Sequence, residues 1–208
     1  MEGEGSGTRG GWIRALGLMG ATGAFSVLNP GVLVAVPFGL LAVIGPPRGL
    51  LTLAVGALAL ALALGGTPDS GLWYLERGWG LLLGGWFLAL TLRWPKGRFV
   101  HRGLGAVAGA FGAMALLLWT RPGGWAVMDW AVTARMEAGM SLALEAARIT
   151  LGPEAVSQAF EARILEAMAL QGFLFPALLG LASLSGLGLA WWLHQRLVRA
   201  GGESIGPL

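Results

Sequence analysis

Between two long apolar runs the chain carries the decapeptide Arg93–Arg102, RWPKGRFVHR, in which five of ten residues are Arg, Lys or His. In a bilayer, Lys and Arg adjoining hydrophobic segments resist translocation and mark the cytoplasmic side. Arg93, Lys96, Arg98 and Arg102 are therefore read as topology determinants, and placing their loop inside places every other segment by alternation. The flanking runs make the membrane the natural solvent. Hydrophobic residues form 55% of the 208 positions and charged residues 12%, against about a quarter charged in an ordinary soluble domain. That is too little polar surface for water.

The formal charge of +3 and basic pI would suit nucleic acid if the cations were spread over a polar surface. They sit instead at the ends of apolar runs, so topology accounts for them and no nucleic-acid partner is expected. The absence of cysteine excludes disulfides, thiolate clusters and a thiol nucleophile. GLGAVAG (103–109) and SGLGLAW (185–191) do not satisfy GxGxxG, and no P-loop, HExxH or nucleophile elbow is present. The expectation is a non-enzymatic protein with no cofactor and no metal.

In chain order, glycine-rich residues 1–11 read as a disordered cytoplasmic tail. Arg9 and Arg14 resemble a signal n-region, but Thr22-Gly23-Ala24 is a poor cleavage site, so an uncleaved first span is expected over 12–28. Asn29-Pro30-Gly31 turns the chain into a short second span, 32–44, containing Pro37. At ~1.5 Å per residue it falls short of a ~30 Å hydrocarbon core, so it is read as a re-entrant or broken helix, or as one that borrows length from its flanks. Further spans are expected at 50–64, 72–92 and 103–119. Over 125–151, Asp129, Thr133, Glu137, Ser141, Glu145 and Arg148 recur every three or four residues. They predict one solvated helix face, with Trp130, Met136, Met140, Leu144 and Leu151 on the other side. Pro153 starts a second amphipathic stretch to Glu166, making 125–166 an outer helical hairpin that lies on the membrane surface or packs on the outer mouth of the bundle. The last span is 168–193 with a kink expected at Pro176, the transmembrane domain closes at 199, and 200–208 is a flexible tail.

This all-α reading, a polytopic bundle of about six spans plus an extracytoplasmic amphipathic hairpin, places both termini inside. Nine Lys or Arg then lie in cytoplasmic segments and five outside, and nine of ten tryptophans, all but Trp86, fall near span ends, where amphipathic rings meet headgroups. Both signals agree on six spans.

Two sets of residues stand out. Gly80–Gly84 and Gly105–Gly109, with Gly17–Ala21 and Gly20–Ala24 in the first span, are small residues four apart. Such pairs give flat faces for internal packing or for another membrane protein. Glu76 and Arg77, beside Trp73, Tyr74 and Trp79, read as an outward-facing pocket for a small-molecule ligand, or as charges snorkelling into headgroups at a span end. Asp129, Glu137 and Glu145 have the spacing of a solvated face rather than of a metal site. His101 and His194 read as interfacial.

NPGVLVAVPFGLLAVIGP (29–46), GLWYLERGWGLLLGGWF (71–87), RPGGWAVMDWAV (121–132) and LFPALLGLASLSGLGLAWWL (174–193) together resemble the YybS-like family of bacterial membrane proteins across nearly the whole chain. That family is more distantly similar to the six-helix substrate-capture subunits of energy-coupling-factor vitamin transporters and to the rod-shape protein MreD. The resemblance implies the bacterial inner membrane, and a role in capturing a small solute for a transport complex. The alternative is an envelope scaffold in the manner of MreD. In the capture subunits, small-residue faces on the first helix dock a coupling partner, a role that Gly17, Gly20, Ala21 and Ala24 would take here. The insert at 125–168 departs from that pattern.

Overall fold

The computed structural model describes residues 29–45, 49–66, 71–151 and 158–200, which form α-helices and connecting turns. The helices are α1 (Pro30–Ile44), α2 (Leu50–Leu64), α3 (Gly71–Arg93), α4 (Phe99–Thr120), α5 (Gly124–Leu151) and α6 (Gln158–Ala200). The expected first span, with Gly17, Gly20, Ala21 and Ala24, lies outside the described residues, as do both tails.

Local chemistry accounts for the boundaries. Asn29 caps α1, its Oδ1 accepting the Gly31 N–H at 3.0 Å, and Pro30 occupies the first helical position, where a missing N–H costs nothing. Between α4 and α5 the chain reverses through Gly123 at φ +75°, where a side chain would be strained. The helix α6 continues through Pro176. Its 43 residues extend about 65 Å, twice a hydrocarbon core, so one end of α6 must project beyond any bilayer it crosses.

The short helix α1 is the hub, packing on α2, α3 and α6. Val32, Leu33, Val36, Pro37, Leu41 and Ala42 are buried. Close approach explains how a 15-residue helix is surrounded. A Cβ on Gly56 of α2 would meet the Ala42 Cβ at 2.5 Å, and one on Gly186 of α6 would meet the Leu33 carbonyl oxygen at 2.9 Å. Gly80 and Gly84 of α3 face Val32 and Pro37 in the same way. On the other side of α3, Gly105 and Gly109 of α4 receive Leu90 and Trp86. The glycine pairs of α3 and α4 therefore pack helices within the chain. A larger core of Leu83, Phe87, Ala106, Leu179 and Leu187 fills the space among α3, α4 and α6.

Among the described residues two segments are long and apolar enough to cross a membrane, Phe99–Thr120 and Gly172–Ala200, and two shorter apolar helices accompany them. Only 28% and 33% of the two spanning windows are buried, whereas the core helix of a soluble protein is mostly buried.

Two expectations need correction. The basic loop is shorter than read: α4 begins at Phe99, so His101 and Arg102 are helical. Arg93, Lys96 and Arg98 are exposed, but Arg102 is buried, and so is His194, so His194 is not a surface-facing group. On α5, Asp129, Thr133, Glu137, Ser141 and Glu145 are exposed, yet Trp130 is half-exposed as well. The inward face is Met128, Ala131, Val132 and Arg135. At 100° per residue Trp130 falls within the arc of the polar series, because a spacing of four drifts 40° around the helix at each step.

Candidate functional site

The expected aromatic and charged cluster lies in the first turns of α3, where consecutive residues point in different directions, and it divides into three. Glu76 and Trp79, one helical turn apart, face inward. They line a cavity of about 50 Å3 with Leu72, Met114, Val132 and Phe175, from α3, α4, α5 and α6. Arg77 turns aside: its guanidinium lies 4.0 Å over the Trp73 ring, and its Nη1–H reaches the Trp73 carbonyl at 3.5 Å. Tyr74, 61% exposed, packs edge-on against Trp73 and belongs to an open groove on the outside of the bundle.

What closes the inward part is a residue that sequence reading missed. Arg135 of α5 reaches Glu76, Nη1 to Oε1 at 3.6 Å, joining positions 59 residues apart. The i, i+3, i+4, i+7 pattern of Met128, Ala131, Val132 and Arg135 was the available signal. Deeper in, the Trp79 Nε1–H donates to Ser183 Oγ at 3.0 Å, and its ring meets Phe111 edge-on at 4.9 Å. That hydrogen bond fixes the indole and satisfies both buried polar groups. About 50 Å3 has room for a few water molecules, whereas sites for drug-sized ligands occupy several hundred Å3.

The outer groove is a different kind of feature. It runs along α3 and α4, has a volume of about 740 Å3, and is lined by Leu81, Leu82, Trp86, Ala89 and Leu117, with Gly78 and Gly85 in its wall. A Cβ on either glycine would meet nothing within 4 Å. These glycines, seven apart and so on one face, were passed over because the expected pairs were four apart. Among the described residues no group of three or more His, Asp or Glu is placed to hold a metal. Set against known proteins, the chain matches no family model, no curated protein and no solved structure.

Proposed function

We propose that this chain is a non-enzymatic, six-span protein of the bacterial cytoplasmic membrane that assembles with another membrane protein through the α3–α4 groove. The membrane part rests on the outward side chains. Leu58 and Leu62 of α2, Leu116 and Trp119 of α4, and Phe173 and Leu181 of α6 are all exposed. Soluble monomers rarely leave so many large apolar side chains to water. With both termini inside, Arg102 and Trp191 belong to the inner end and Glu76 and Arg135 to the outer end. Each pair is in contact, which supports the alternation.

The groove carries the assembly reading. Two helix positions without side chains in an otherwise apolar wall let a neighbouring transmembrane helix approach closely, which is how helices associate where lipid removes the hydrophobic drive. The likeness to the YybS-like family, and through it to MreD, points to the same class of role. Because the chain has no cysteine, single cysteines test this cleanly. In native membranes, Gly85→Cys should crosslink to one discrete partner through a thiol-reactive bifunctional reagent. Gly112→Cys, equally open but outside the groove, should not. Equal behaviour at both positions would mean that the groove holds only lipid.

Solute capture is the second reading, favoured by the cavity under Glu76. It requires a solute small enough for that space, or an outward movement of α5 that enlarges it.

A further inference from the structure

The opposite end of the bundle holds a cluster that neither the groove nor the cavity uses. Arg102, in the first turn of α4, is 5% exposed, and its guanidinium lies 4.6 Å over the ring of Trp191 in α6. Its Nε and Nη1 are buried without a hydrogen-bond partner. One turn beyond Trp191, His194 is 4% exposed and its ring lies 5.9 Å from the indole, with Nδ1 also buried and unpartnered. Gln195 is buried beside it. Two polar side chains, each more than nine-tenths buried, thus flank one tryptophan.

The charge inventory shows what is missing. Among the described residues of this end, 93–102 and 191–200, the cations are Arg93, Lys96, Arg98, Arg102, Arg196 and Arg199, and there is no carboxylate. Along α3 the nearest acid, Glu76, is 17 residues before Arg93, about 25 Å at the helical rise. Along α6 the nearest, Glu166, is 25 residues before Trp191, about 38 Å. The indole face offsets part of the cost of burying a guanidinium, but it leaves the in-plane N–H groups unmet. A buried cation without a counter-charge is strongly unfavourable, so it calls for an anion beyond the described residues.

We infer that the Arg102–Trp191–His194 cluster binds a phosphate group, namely that of an anionic phospholipid in the leaflet this end meets. Guanidinium is suited to phosphate. Basic pockets between transmembrane helices at the cytoplasmic surface are where phospholipid headgroups are held. The start of α4 adds to the attraction: Arg98 provides no side-chain cap, so first-turn amides and the positive end of the helix dipole face the same region. The turn covering the Arg102 stem is closed by the Gly97 N–H donating to the Trp94 carbonyl. It carries exposed Lys96 and Arg98, which an arriving headgroup meets first.

The site rests on the membrane-spanning reading and is independent of the groove. If that reading fails, the full chain will purify without detergent, a result separable from any loss of lipid binding. Native mass spectrometry and thermal unfolding of the full chain in neutral detergent would compare phosphatidylglycerol, phosphatidylcholine and inorganic phosphate. Phosphatidylglycerol should be retained one-to-one and raise Tm at a concentration at least tenfold lower than phosphatidylcholine. Arg102→Gln should weaken that binding at least tenfold and His194→Gln severalfold, while Arg93→Gln, on an exposed residue of the same segment, should stay within twofold. Equal stabilisation by the two lipids, or Arg102→Gln binding like the wild type, would overturn the inference. Inorganic phosphate that displaces phosphatidylglycerol at millimolar concentration would assign the site to the free anion and overturn the lipid source. The wild-type lipid comparison decides the matter even if Arg102→Gln does not fold.

Discussion

The two ends of the bundle satisfy their charges in opposite ways. At the end proposed to lie outside, Glu76 and Arg135 face each other, so one cation is met by a carboxylate within the chain, while Arg77 rests on Trp73 with its Nε unpartnered. At the end proposed to lie inside, Arg102 has an aromatic face but no carboxylate among the described residues, and the charged residues around it there are all cations. Arginine on tryptophan is present at both. The difference lies in where the sequence puts its carboxylates, and it separates an end that holds a carboxylate from one that calls for an external partner.

The sharpest test of this contrast replaces one tryptophan at each end. Trp191 supports Arg102 and His194 and meets Phe87 edge-on at 6.0 Å, so Trp191→Ala removes packing on several sides at once. About 3 kcal/mol of stability should be lost, the low end of the range for removing a core aromatic. Trp130, half-exposed and leaning on Gly71, should cost about 1 kcal/mol or less when changed to Ala. Chemical unfolding of both variants in the same micelle gives the comparison. Equal losses would mean that the inner cluster is no better packed than the surface of the outer end.

Much of the helical layout was legible in the sequence, because apolar runs and Gly/Pro turns mark helix ends whatever surrounds them. The helix over 50–64 was read to the residue, and 71–93 to within one at each end. What the sequence concealed was which side of each helix faces protein. The helices α1 and α2 both have 15 residues and are similarly apolar, yet α1 is buried at the hub while Leu50, Leu58 and Leu62 of α2 point outward. In lipid, protein-facing and lipid-facing sides are equally apolar, so periodicity carries little information. The candidate site suffered the same way. Five neighbouring residues looked like one pocket, but helical geometry turns Tyr74 and Arg77 away from Glu76. The contact of Glu76 with Arg135 spans 59 residues, and the local pattern of α5 marks Arg135 as inward without naming its partner.

One helical turn in from Glu76, the Trp79–Ser183 hydrogen bond tests how far the polar contacts of that end extend into the core. Trp79→Phe keeps an aromatic ring but removes the pyrrole half of the indole and leaves the buried Ser183 hydroxyl without its partner, which should cost at least about 1–2 kcal/mol. Combining it with Ser183→Ala should recover part of that loss, because neither partner is then left unsatisfied. Strict additivity in the double-mutant cycle would mean that the bond contributes no coupling.

The smallest expected effect falls on the most conspicuous pair. Glu76 is 13% exposed and Arg135 32%. Their 3.6 Å separation lies beyond the usual range of a charge-assisted hydrogen bond, and solvent reaches the arginine. Pairs of this kind are worth between zero and about 1 kcal/mol, and salt screens them. Glu76→Gln should therefore lower stability by less than about 1 kcal/mol, with the deficit shrinking as salt is raised from 50 mM to 500 mM, as read by chemical unfolding at each salt concentration. A salt-independent loss above about 2 kcal/mol would show that Glu76 is shielded from water as Arg102 is. The outer end would then also depend on a buried charge, and the division between a self-balanced end and a ligand-dependent one would have to be abandoned.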